Sequence, residues 1–107
     1  MVWNNHEFVN FPKFRTMTTI YKYDLAPIKE QGLMLPEGAN LLKVDAQRNL
    51  PKLWALVDTS KPRRTLFVRI ICTGEEIDKP LDGWQYLDTY QLNDGDFVHH
   101  VFIKWAD

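Results

Sequence analysis

The sequence predicts an all-β domain, or β with one short helix, built as a small antiparallel sandwich or partly closed barrel of six to seven strands. Three observations carry this expectation. Short runs rich in β-branched and aromatic residues recur along the chain, and several of them alternate apolar with polar. Turn-forming residues separate these runs. No long helical repeat interrupts them.

Taken in order, residues 1–16 have neither clean alternation nor helical spacing and read as a leader or N-terminal arm. Met17 then opens a β-prone stretch, so 17–107 is expected to be a single β domain and Met17 an alternative start. In the competing reading, Trp3, Phe8, Phe11 and Phe14 dock as an extra edge strand. The first strand spans Thr18–Leu25, with Tyr21, Tyr23 and Leu25 on one face. Asp24–Gln31 has room for about one helical turn, because Pro27 limits anything longer. Leu33–Leu35 is a short extended piece closed by Pro36-Glu37-Gly38, where proline pre-sets φ and glycine relaxes the backbone. Strand three, Asn40–Gln47, places Leu42, Val44 and Ala46 on one side and Lys43, Asp45 and Gln47 on the other. After the turn Arg48-Asn49-Leu50-Pro51, strand four (Lys52–Asp58) is apolar on both faces and is expected to be central.

Strand five, Thr65–Thr73, is a second continuous apolar run, with Arg69 as its one charge. Gly74 to Gly83 is acidic, holds Pro80, and reads as a long loop or short helical turn. Strands six (Trp84–Leu92) and seven (Asp96–Trp105) flank Asn93-Asp94-Gly95, a strong hairpin signal. Strand seven presents Phe97, His99, Val101, Ile103 and Trp105 on one face, and Val98, His100, Phe102 and Lys104 on the other.

Composition narrows the class. A chain of 107 residues, 45% hydrophobic, fits one domain that needs no disulfide or metal staple. The single cysteine, Cys72, has no internal disulfide partner, so a reducing compartment is expected. Nothing approaches about 18 consecutive apolar residues, and the N-terminus lacks the apolar core of a signal peptide. A cytoplasmic protein without a membrane partner is therefore expected. The net charge of −1 gives no overall pull toward nucleic acid, but its distribution is uneven. Residues 43–69 carry seven bases against Asp45 and Asp58, a balance of +5, and residues 74–107 carry eight acids against Lys79 and Lys104, a balance of −6. The two regions form opposed patches or interleave across neighbouring strands, depending on how the strands pair.

No residue pattern supports catalysis. Ser60 lies outside any nucleophile motif, and Cys72 falls within an apolar strand, where a small hydrophobe is the usual role. Adjacent His99 and His100 point to opposite faces of a strand and cannot share a metal ion. No cofactor or metal is expected. Two features point to binding. Arg63, Arg64 and Arg69 suit an anionic, ring-bearing ligand, with Trp54 stacking the ring and His100 added to the set. The stretch Glu75, Glu76, Asp78 and Asp82 suits a basic partner surface. Each has a plainer reading, as a solvated loop and as a solubilising one. A nucleic-acid module is not indicated.

Thr19-Ile20-Tyr21-Lys22-Tyr23, Leu35-Pro36-x-Gly38-Ala39-x-x-Leu42, Leu53-Trp54-Ala55-Leu56-Val57-Asp58, Thr73-Gly74, Tyr86-Leu87-x-Thr89 and His100-Val101-Phe102 occur in this order. The pattern, over about residues 17–102, resembles a family of short phage and prophage proteins, mostly of unknown function. The resemblance implies a small phage accessory protein acting inside a bacterial host cell. It supplies no catalytic residue. It implies inhibition of antiviral defence by binding, either by sequestering a nucleotide-derived immune signal or by occluding a defence protein in an anti-CRISPR-like manner. A phage structural or assembly protein is the alternative, and a homo-oligomer is compatible with each.

Overall fold

The computed structural model describes residues 17–107, and the proposed leader lies outside the described residues. Seven strands follow in chain order: β1 (Thr18–Asp24), β2 (Glu30–Pro36), β3 (Asn40–Gln47), β4 (Leu50–Asp58), β5 (Arg63–Cys72), β6 (Gln85–Leu92) and β7 (Phe97–Trp105). They form two antiparallel sheets, ordered β1–β4–β3 and β2–β5–β7–β6. The expected sandwich is the fold, with β4 and β5 each flanked by a neighbour on both edges.

The core lies between the sheets. From β4 it takes Leu53, Ala55 and Val57, and from β5 Leu66, Val68 and Ile70. Val101 and Ile103 of β7, Leu35 of β2, Val44 of β3, Tyr90 of β6 and Leu25 complete it. Complete burial of side chains such as Leu53 or Leu66 stabilises the fold by about 1.5–3 kcal/mol each. Strand seven divides between its faces as the alternation predicts: Val101 and Ile103 are buried, while Lys104 is exposed.

Local chemistry sets the connections. At Pro36–Ala39 the Ala39 N–H donates to the Pro36 carbonyl (3.1 Å), and Gly38 takes φ +79°, the value the third position of a type II turn demands. Between β3 and β4 the turn has only two residues, Arg48 and Asn49, both at positive φ (53° and 63°). Its twist matches that of the flanking strands. The Asn49 side chain then reaches the β6–β7 turn. It donates from Nδ2 to Asn93 Oδ1 (2.7 Å), and its Oδ1 accepts from the Asn93 N–H (2.9 Å). Farther along β3 and β6, Asp88 Oδ2 accepts the Val44 N–H (2.8 Å), joining an edge of one sheet to an edge of the other.

Three expectations change. The segment 25–29 forms no helical turn. It crosses from one sheet to the other, fixed by Leu25 N–H to the Pro51 carbonyl (3.1 Å) and Ile70 N–H to the Lys29 carbonyl (2.8 Å). The second strand is longer than Leu33–Leu35, because β5 supplies pairing partners from Glu30 to Pro36. In β3 the register shifts between Leu41 and Lys43, a β-bulge that breaks strict alternation. Leu41 therefore packs on the core, while Leu42, grouped with Val44 and Ala46 by its sequence spacing, is 47% exposed.

Candidate functional site

The five residues proposed for an anionic ligand do not converge. Trp54 alternates with the buried Leu53 and Ala55, so it lies on the outer face of the β1–β4–β3 sheet. Arg69 alternates with Val68 and Ile70 and lies on the outer face of the other sheet. Arg63 shares that face but is six residues away, about 20 Å along the strand. Arg64 turns toward the end of the sandwich, where it hydrogen-bonds the Ala106 carbonyl and lies over the Trp105 ring at 5.7 Å.

Arg69 and His100 are occupied within the protein. The Arg69 side chain is 11% exposed, stacks on Trp84 at 4.3 Å and donates to the Pro80 carbonyl (2.9 Å). Glu30 Oε2 lies 3.5 Å from its Nε and 3.2 Å from Lys79 Nζ. This clamp holds the long β5–β6 loop against the sheet. His100 lies between two threonines, with Nε2 2.7 Å from Thr73 Oγ1 and Nδ1 3.0 Å from Thr89 Oγ1.

One carboxylate of the acidic stretch pairs with a cation. Glu75 Oε2 pairs with Lys29 Nζ at 2.7 Å, and Glu75 Oε1 accepts the Cys72 N–H at 3.0 Å. The Lys29 ammonium, helped by that N–H, holds the Glu75 carboxyl below the usual carboxylate range, and Glu75 in turn raises Lys29. Glu76, Asp78 and Asp82 are exposed. Among the described residues no three His, Cys, Asp or Glu side chains are grouped to hold a metal ion.

Other cations share the face of Trp54. The register sets Lys22 of β1 and Lys43 of β3 opposite Trp54, Ile20 opposite Leu56, and Asp24 and Asp45 opposite Lys52. Ile20 is 55% exposed, and Leu42 and Leu50 are similarly open. Lys22, Gln47, Arg48, Leu50 and Lys52 surround an open hollow of about 370 Å³ beside this apolar strip. Lys52 Nζ hydrogen-bonds Asp24 (2.7 Å), which holds that carboxyl below its ordinary value. Lys22 Nζ donates to Gln47 Oε1 (2.7 Å). Alternation within β1 and β4 carries half the signal for this grouping, since it puts Ile20 with Lys22 and Trp54 with Leu56. The strand register supplies the other half, and the sequence does not encode it locally.

A second concavity lies between the sheets. It holds about 230 Å³ and is walled by Pro27, Ile28, Pro51, Ile70, Tyr90 and Leu92, with Lys29, Cys72, Glu75 and His99 completing it.

A family model described as "Domain of unknown function (DUF7352)" matches residues 17–107. No curated protein and no solved structure matches the chain.

Proposed function

The chain belongs to this family, and from the geometry of its three-stranded sheet we propose that it acts by binding rather than by catalysis, docking a protein partner around Trp54. The setting we propose is the one the sequence resemblance implies. The protein is a phage accessory protein in the cytoplasm of a bacterial host and inhibits antiviral defence by occluding a defence protein.

One observation carries the choice of mechanism: the outer face of β1–β4–β3 gathers Trp54, Leu56, Ile20 and Leu50 beside Lys22, Arg48 and Lys52. A half-buried aromatic at the centre of an apolar strip, with cations at its rim, is the composition of an interface hot spot. Sequestration of a nucleotide-derived signal fits less well. The arginines do not meet, and the 230 Å³ cavity falls below the roughly 300–1,000 Å³ of typical ligand pockets. Lys22 and Arg48 call for a partner whose contacting surface is apolar at its centre and acidic at its rim, while Lys52 is already paired with Asp24. Three strands about 4.8 Å apart, paired over seven residues, make a plane of roughly 14 by 24 Å. That plane supplies the centre of an interface of about 800 Å² per side, and the β3–β4 turn supplies rim.

The test is a two-step capture. Tagged full chain retains a partner from host lysate, and calorimetry with the purified partner compares parent and variants at two salt concentrations. Trp54→Ala weakens binding by about 30-fold, about 2 kcal/mol, while Arg63→Ala changes it less than about threefold. Added salt weakens the parent's binding. A partner held equally by Trp54→Ala and the parent refutes this placement. Heat on titrating cyclic nucleotides or ADP-ribose derivatives into the protein alone would favour sequestration.

A further inference from the structure

The cavity between the sheets is independent of the outer face just described, and its walls are built from both sheets and the segment that joins them. Pro51 comes from β4, Ile70 and Cys72 from β5, Tyr90 and Leu92 from β6, and His99 from β7. Pro27, Ile28 and Lys29 belong to the crossing segment, which is fixed along its length. Ile28 N–H bonds the Ala26 carbonyl (2.8 Å), and the Gln31 side chain holds both the N–H and the carbonyl of Ala26 (2.8 and 2.9 Å). The wall is therefore pre-formed.

Chemistry narrows what fits. Most of the wall is aliphatic or aromatic, and Tyr90 stacks on His99 at 5.1 Å, with 26° between the rings. The two charges, Lys29 and Glu75, neutralise each other at 2.7 Å, so an ionic ligand gains no uncompensated counter-charge. His99 Nδ1 is buried and has no hydrogen-bond partner among the described residues. That nitrogen is closed to water and does not open on the cavity. An apolar cavity of about 150 Å³ holds benzene, so 230 Å³ scales to about nine non-hydrogen atoms. We propose that this cavity binds a small neutral aromatic molecule the size of a fused bicyclic ring, held by apolar contact with Ile28, Ile70, Leu92 and Tyr90.

Cys72 lines the cavity and reports on occupancy. The full chain is treated with a thiol-modifying reagent in the presence of indole. At ten times the dissociation constant of indole, modification slows roughly tenfold by mass action. Ile28→Trp is the control variant. Ile28 is 53% exposed, so folding tolerates the change, while the larger ring fills the mouth and abolishes the protection. Indole-3-acetate protects less than indole. An unchanged rate with indole overturns the proposal, as does equal slowing in the parent and in Ile28→Trp. Protection by indole-3-acetate as strong as by indole overturns the assignment to a neutral ligand.

Discussion

Replacing Arg69 by alanine releases the β5–β6 loop. The guanidinium is nearly buried, stacks on Trp84 at 4.3 Å, donates to the Pro80 carbonyl at 2.9 Å and faces Glu30. A hydrogen bond from a charged donor contributes about 1.5–3 kcal/mol, and a partly desolvated cation–π contact about 1 kcal/mol more. The lost contacts overlap, so their sum is an upper bound, and about 3 kcal/mol is the expected loss of unfolding free energy. Glu30 keeps Lys79 at 3.2 Å, which limits the damage on that side. Arg69→Lys retains the charge but not the planar stack, and recovers less than half of the loss. Urea unfolding measures the free energies, and amide exchange followed by mass spectrometry localises them. The Trp84 N–H, bonded to the Leu81 carbonyl at 2.9 Å, exchanges faster in Arg69→Ala. A loss below about 0.5 kcal/mol together with unchanged exchange over residues 79–84 refutes the clamp. It also returns Arg69 to the set of side chains free to meet a ligand.

Three further outcomes follow from the geometry. Leu41→Ala costs about 2 kcal/mol and Leu42→Ala less than about 0.5 kcal/mol, because the bulge packs the first and exposes the second; equal losses in chemical denaturation count against the bulge. Asp88→Ala strips the Val44 N–H of its acceptor and costs about 2 kcal/mol, while Asp88→Asn, which keeps an acceptor oxygen, costs less; thermal melts rank the two. Tyr90 is 3% exposed, and burial pushes its phenol up to about 12. Its folded-state value exceeds the unfolded value near 10, so its contribution is complete below pH 10 and lost as pH rises toward 12. Tyr90→Phe flattens that alkaline loss in pH-dependent melts, and an unchanged slope refutes the assignment.

Much of the fold was legible residue by residue. The continuous apolar runs of β4 and β5 marked strands flanked by a neighbour on each edge, although the outer face of each is open to solvent. The alternation from Phe97 to Trp105 sorted β7 correctly, since side chains in a regular strand change face at every step. Leu42 was misassigned because a bulge inserts one residue without a local marker in its composition. Asp24–Gln31 left room for a turn of helix, but the chain there must bridge two sheets, and its N–H and carbonyl groups find partners on β4 and β5.

The candidate sites separate along the same line. The sequence alone determined the β-rich class, two of the three interior strands and the hairpin at Asn93-Asp94-Gly95, because each follows from local periodicity or residue chemistry. It also singled out Trp54, as the ring-stacking member of an anionic-ligand set that the structure does not bring together. Tertiary pairing alone decided Trp54's neighbours. The cations next to it in sequence-wide charge, Arg63, Arg64 and Arg69, went to the other sheet or to the end of the sandwich, and Lys22, Lys43 and Lys52 took their place. Register and sheet order are long-range choices made by burying one face of every strand at once, and no window of sequence contains them.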